Sequence, residues 1–438
     1  MKIKKKRESI SFDSVLTPPP DKSISHRGIF FSALSNNRVK ISNFLFSQDL
    51  LSTIAVFRSL GLDISVKKKE ISISGVGLEG LKKPDQDLYL GNSGTTARLI
   101  LGLLSAQDFN ATIGGDESLS LRPMKRVTEP LSMMGASFRG NDGANFLPIE
   151  VIGSKLKGID YIMPISSAQV KSAILIAGLY AESSTIIHQK YKSRDHTERM
   201  LLSFGANISS NDLEVKIEKT DSLNVLDFSV PADISSAAFF ITLALLSPDS
   251  KLLLKNVGVN PTRCGFIDVL KRMGANIDID LTLGERESAI AEPSADISVS
   301  TSRLKGVYVS KEEIPSLIDE LPLLFLVASL AEGDSYIESV SELRVKETDR
   351  INSIVTNLTK MGARIKVLGE DVLIKGVEGL NKAGLLSFSD HRTAMVNVIA
   401  AILAEGESII DCLDSIAISY PGFIKDLNSI LDNCIEIV

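Results

Sequence analysis

"RINSIVTNLTKMGARI", residues 350–365, carries the pattern that decides the fold. Ile351, Ile354, Val355 and Leu358 fall on one helix face, and Gly362 then stops the helix where a residue without Cβ takes the left-handed turn. Alternating residues follow, the period of a strand. The same phrase recurs as "SLGLDI" at 59–64, "MMGASF" at 133–138, "SFGANI" at 203–208 and "RMGANI" at 272–277, with a fainter sixth copy in "LDNCIEIV" at 431–438. The first four glycines stand 74, 70 and 69 residues apart, so 438 residues accommodate about six units. Each interval holds a second helix, such as "GNSGTTARLILGLLSA" at 91–106, "SSAQVKSAILIAGLYA" at 166–181 or "DISSAAFFITLALLS" at 233–247. These are apolar nearly all round, which implies burial on every side. The expected class is α/β, with helices packed inside sheets.

Two proline-stiffened stretches look like crossovers between domains, "LTPPPD" at 16–21 and "SVPADISS" at 229–236. They place a first domain at 19–232 and a second at 233–438 plus 1–18, each of three units. A net charge of -6 argues against nucleic acid or an anionic membrane as the main partner, since both want a basic surface. The opening "MKIKKKRESI" is basic, but no apolar run follows it, and it reads as a solvated edge strand. Cys264, Cys412 and Cys434 are far apart with no C-x-x-C pair, and read as buried thiols in a reducing cytoplasm. His26, His188, His196 and His391 show no H-E-x-x-H spacing, so capping or support of neighbouring groups is expected of them and no metal.

The chemistry gathers at helix beginnings. "DKSISHR", "GNSGTTAR", "SSAQVKS", "RDHTER", "PADISS", "KETDR" and "SDHRTAM" each open a helix on capping residues. Lys22, Arg27, Arg98, Lys171, Arg194, Arg350 and Arg392 lie in or near these first turns, where a cation opposes the helix dipole unless an anion sits there. Any one of them alone reads as a solvated or salt-bridged cation. Jointly they point to a strongly anionic small ligand or two. No G-x-x-x-x-G-K-[ST] and no G-x-G-x-x-G is present, which disfavours ATP and dinucleotides. Asp319 and Glu320 in "IDELPLL", and Glu347 and Asp349 in "RVKETDR", are read either as helix caps or as acids placed beside cations for proton transfer.

In order and spacing, "PDKSISHR", "GNSGTTAR", "GGDESLSLRPM", "SSAQVKSA", "SRDHTERM", "IDELPLL", "RVKETDR" and "DHRTAM" resemble the 3-phosphoshikimate 1-carboxyvinyltransferases, or EPSP synthases. The resemblance spans essentially the whole chain. It implies two similar domains, each of three βαβαββ units with buried helices, an inside-out α/β barrel, and an active site in the cleft between them. The implied reaction moves the enolpyruvyl group of phosphoenolpyruvate to the 5-hydroxyl of 3-phosphoshikimate through a tetrahedral intermediate, releasing phosphate without metal or cofactor. Those two anions are the expected partners, and a cytoplasmic monomer the expected state. Matched by position, Lys22, Asn92, Gly94, Arg122, Gln169, Arg350 and Arg392 are implied at the phosphoenolpyruvate site. Lys22, Ser23, Arg27, Ser167, Gln169, Arg194, Asp319 and Lys346 are implied at the phosphoshikimate site. Asp319 resembles the base for the hydroxyl proton, and Glu347 and Lys22 are rivals for protonating the methylene carbon.

Three positions depart from the family pattern. Pro20 replaces the glycine before "DKS", Ala168 replaces a second serine, and Ile418 replaces a lysine, for which Lys425 on the next helix is a substitute. The pattern resembles the second of the family's two sequence classes. The sister transferase acting on UDP-N-acetylglucosamine uses a cysteine before its R-P motif, and "GGDESLSLRP" at 114–123 has none. A non-catalytic anion-binding protein of the same fold is the other alternative. It would not require Asp319 and Glu347 beside the cations.

Overall fold

The structure is a computed structural model and describes residues 2–5, 10–281, 289–432 and 435–437. Cys434 lies outside them. The repeat glycines behave as their phrase predicts: Gly61, Gly135, Gly205, Gly274 and Gly362 all take positive φ, between 82° and 106°. Each ends one helix and turns the chain into a strand.

Two compact units result: Pro20–Val230 with Glu287–Glu292, and Met1–Pro19 with Pro231–Arg286 and Pro293–Val438. Each has a hydrophobic core of its own. Among the described residues six four-stranded sheets share one pattern, in which a parallel pair continues into two antiparallel neighbours. Among the described residues each sheet keeps its own two edges, and no barrel closes. The second repeat shows the βαβαββ order: strand Leu88–Tyr89, helix Gly94–Ser105, strand Asn110–Gly114, helix Lys125–Met133, then strands Ser137–Gly140 and Phe146–Ile152.

One helix of every repeat is buried nearly all round, as its composition requires. In Gly94–Ser105 only Thr95 escapes burial, and every residue of Leu321–Ser329 is buried. Helices Gly94–Ser105 and Ala168–Gly178 approach so closely that a Cβ on Gly102 would stand 2.2 Å from the Ala173 carbonyl oxygen. The other helix of each repeat is one-sided; Arg350–Lys360 buries Ile351, Ile354 and Leu358.

Several expectations need correction. Lys2–Lys5 is an interior strand, antiparallel to Ser408–Ile410 on one side and to Ile435–Ile437 on the other. Charge alone did not reveal that both of its backbone edges find partners. Residues 289–292 sit apart from their sequence neighbours: Ile290 is fully buried in the core of the first unit, and Glu292 meets His196 at 2.7 Å. Cys264 is a buried free thiol, its pKa pushed up to about 12 by burial, whereas the free thiol of Cys412 is exposed. No helix among the described residues is long and apolar enough to cross a membrane.

Candidate functional site

Caps determine where the charged helix starts point. Asp21, Ser93, Ser167, Asp233, Asp349 and Asp390 each accept a backbone N–H of their own first turn. Asp195 does not, because its carboxylate holds Arg199 at 3.0 Å. The residues picked out from the sequence fall into two sets, one in each unit.

In the unit of Pro20–Val230, hydrogen bonds tie the starts of three buried helices together. Lys22 Nζ lies 3.0 Å from Asp49 Oδ2. Behind it, His26 Nδ1 shares a hydrogen bond with Thr53 Oγ1, which continues to Thr96 Oγ1 and on to Ser93 Oγ. Burial, reinforced by Lys22 and Arg27, drives His26 well below its ordinary 6.5, so the ring is neutral. Ser93 caps the helix that Gly94 opens. Gly91, at φ 58°, makes the turn before it, and Gly94 has no positive φ. Gly94 serves close approach instead, since a Cβ there would stand 2.9 Å from Arg98 Nη1 and 3.0 Å from Arg122 Nη1.

The two guanidiniums are themselves held. Arg122 Nη2 donates to Asn92 Oδ1 at 2.5 Å, and Asn92 Nδ2 donates to Asp116 at 2.8 Å. Arg98 Nη1 donates to Gln169 Oε1 at 3.0 Å, while Gln169 Nε2 donates to Thr95 Oγ1. Arg27, buried, donates to Thr197 Oγ1, Ser172 Oγ and the Ser23 carbonyl. Burial lowers its pKa to about 10, which leaves it charged at neutral pH. Ser167 caps its helix through a 3.5 Å bond from Val170 N, and Arg194 is half-buried close enough to Arg27 to oppose its charge. Lys171 does not join this face: it is wholly buried and paired with Glu198 at 2.6 Å.

In the other unit, three cations surround one carboxylate. Lys346 Nζ stands 3.6 Å, Arg350 Nη1 3.9 Å and Arg392 Nη2 3.5 Å from Asp319 oxygens. Arg392 Nη1 also donates to the Asp319 carbonyl at 3.2 Å. Arg350 binds Glu347 at 2.5 Å and the buried Asp390 at 2.8 Å. Burial alone would lower Arg350; Asp390, Glu347 and Asp319 outweigh it and raise it. Asp390, which burial would raise, is held below the usual carboxylate range by Arg350 and His391. Of the "DE" pair, neither acid caps through its side chain. Glu320 is buried against Ser235, within 4.0 Å of Arg263. Lys425 is exposed on Phe423–Ile430 and belongs to no described contact of the Asp319 cluster.

Reading the sequence missed the carboxylates that orient the cations, Asp49 and Asp390 directly and Asp116 through Asn92. Asp116 and Asp390 stand in phrases already singled out, but a cap and a cation's partner look alike until the side chains are placed. Such cation-rich helix starts, with an acid at the centre of one set, can hold anions and accept a proton from a bound hydroxyl. Among the described residues no group of His, Cys, Asp and Glu is arranged to hold a metal ion.

Comparison with known proteins agrees with this chemistry. A family model described as EPSP synthase (3-phosphoshikimate 1-carboxyvinyltransferase) matches residues 7–427. The 3-phosphoshikimate 1-carboxyvinyltransferase of Bacillus subtilis (strain 168) is 46% identical over 413 residues, covering 94% of this chain and 96% of that protein. The enzyme of the same name from Bacillus cereus (strain B4264) is 45% identical over 415 residues, 95% of this chain and 96% of its own. A solved EPSP synthase from Acinetobacter baumannii superposes with a TM-score of 0.86 at 38% identity, covering 98% of both chains. The chain therefore belongs to the EPSP synthase family, the 3-phosphoshikimate 1-carboxyvinyltransferases.

Proposed function

We propose that the two sets of residues serve one reaction, the family's transfer of the enolpyruvyl group from phosphoenolpyruvate to the 5-hydroxyl of 3-phosphoshikimate. The observation that carries the assignment of roles is the carboxylate of Asp319 ringed by Lys346, Arg350 and Arg392. Asp319 takes the proton of the 5-hydroxyl as its oxygen bonds to C2 of phosphoenolpyruvate, and the methylene carbon gains a proton. The tetrahedral intermediate then loses a methyl proton and phosphate, which leaves the enolpyruvyl ether. Lys22, Arg122, Arg350 and Arg392 hold the phosphate and carboxylate of phosphoenolpyruvate, with Asn92, Gly94 and Gln169 lining its site. Lys22, Ser23, Arg27, Ser167, Gln169, Arg194, Asp319 and Lys346 contact 3-phosphoshikimate. Fixed cations of this kind lower the barrier where negative charge develops, because their orientation is set before the reaction begins.

Two groups are the candidates for protonating the methylene carbon: Lys22, as an ammonium, and Glu347, which delivers a proton only as the carboxylic acid and not as the carboxylate of its ion pair with Arg350. Single-turnover incorporation of solvent deuterium by Glu347→Gln separates them. Loss assigns the proton to Glu347, and retention assigns it to Lys22. The reading includes a cytoplasmic monomer, supported by a core within each unit and by the free thiols of Cys264 and Cys412. The overall test is phosphate release from phosphoenolpyruvate plus 3-phosphoshikimate with a chelator present. Release is expected to continue, and its absence overturns the metal-free transferase.

A further inference from the structure

Lys171 has no direct part in the anion face, yet its ammonium has three polar partners. It lies in the first turn of Ala168–Gly178, against the helix dipole, and is wholly buried. Its Nζ meets Glu198 Oε1 at 2.6 Å, Gln189 Oε1 at 3.1 Å and the Ser193 carbonyl at 3.3 Å. Gln189 Oε1 in turn accepts from Ser193 N at 3.1 Å and from Ser193 Oγ at 2.5 Å. Residues 189–195 belong to no helix or strand, and past the Gln189 N–H, which donates to the Leu213 carbonyl at 2.8 Å, no ladder of backbone bonds determines where they run. Side chains do this instead. The backbone N–H and carbonyl of Ser193, the residue directly before Arg194, are both satisfied by this buried pair of side chains.

We propose that Lys171 is a positioning residue for phosphate recognition, one that sets the place of the Arg194 guanidinium through Gln189 and Ser193. The proposal rests on the reading of Arg194 as a contact of 3-phosphoshikimate. A buried lysine opposed to its own helix dipole is costly, and Glu198 offsets the charge without explaining the two further bonds to the loop. Those bonds acquire a purpose if the loop must present Arg194 to a phosphate within a fraction of an ångström.

The test compares 3-phosphoshikimate with shikimate, which lacks the phosphate, as substrates of the full chain. Lys171→Met alone would strand the Glu198 charge in the interior, so the informative variants are Lys171→Met/Glu198→Leu and Gln189→Leu. The second keeps the ion pair and therefore reports even if the double variant fails to fold. Both are expected to cut the preference for 3-phosphoshikimate about tenfold, through its KM, while the KM for phosphoenolpyruvate stays within about a factor of two. Arg194→Met serves as the reference and should lose most of that preference. A purely structural Lys171 would lower the melting temperature and affect both substrates alike, which overturns the proposal. Unchanged preference in folded Gln189→Leu overturns it too. Unchanged preference in Arg194→Met removes the reading of Arg194, and the positioning role with it.

Discussion

A methyl group on Gly94 would press on Arg98 and Arg122 at 2.9 and 3.0 Å, and both contacts are the far ends of side chains that can move. The backbone there has no positive φ, so Gly94→Ala is expected to fold normally and to act by displacing the two guanidiniums. In this family the inhibitor glyphosate competes for the phosphoenolpyruvate site and is the longer ligand. Gly94→Ala should weaken glyphosate about tenfold, within the usual 1–3 kcal/mol of overpacking, and raise the KM for phosphoenolpyruvate by less. Parallel inhibition curves check this, and equal constants would confine Gly94 to a passive role. His26 makes a second prediction at this scale. Its folded pKa lies below 6.5, so the unfolded chain binds its proton first as the pH falls. Stability from the neutral ring is fully present above 6.5 and is lost as the pH drops from there toward the depressed value. Urea midpoints measured across that window should fall with pH in the wild type, and the slope should flatten in His26→Asn.

Between the Gly94–Ser105 and Ala168–Gly178 helices, Gly102 is a point of close approach, where an added Cβ would stand 2.2 Å from the Ala173 carbonyl oxygen. Backbone cannot rotate away as a side chain does, so Gly102→Ala must push the helices apart. The expected loss is about 1–3 kcal/mol or more, read as a lower urea midpoint. Gly384→Ala is the control, because nothing lies within 4 Å of its added Cβ, and it should cost little. Shifting this helix pair also moves Gln169 relative to Arg98, so the KM for phosphoenolpyruvate should rise along with the loss of stability. Elements of this kind were readable in advance. The 3.6-residue period and the stopping glycine marked helices such as Arg350–Lys360, and all-round apolar composition marked the buried ones. What the period could not show was which partner each cap or cation would choose. Asp195 turning from its expected cap to Arg199, and Lys171 turning inward to Glu198, depend on side chains brought in from other turns and other helices.

Neither unit is a continuous stretch of chain, and that governs how the molecule can be divided. Residues 20–230 contain three complete sheets but lack Ile290 and Glu292, which belong to their core and to His196. Expressed alone, that stretch is expected to fold with stability reduced by about 3 kcal/mol, from the lost Ile290 side chain and the lost Glu292 contact to the buried His196. Restoring residues 289–292 on a flexible linker should recover most of the loss, and equal urea midpoints for the two forms would show that the segment contributes nothing. By itself, the sequence determined the six-fold repeat, the buried helices and the cation-rich helix starts, because periodicity, glycine turns and capping are local and act over a few residues. It also carried the family motifs. Only the tertiary structure decided that Lys2–Lys5 is an interior strand, that 289–292 joins another unit from its neighbours, and that Asp49, Asp116 and Asp390 orient the cations. Each of those outcomes is a pairing between residues far apart in the chain, and such pairings are set by packing and burial that no local pattern encodes.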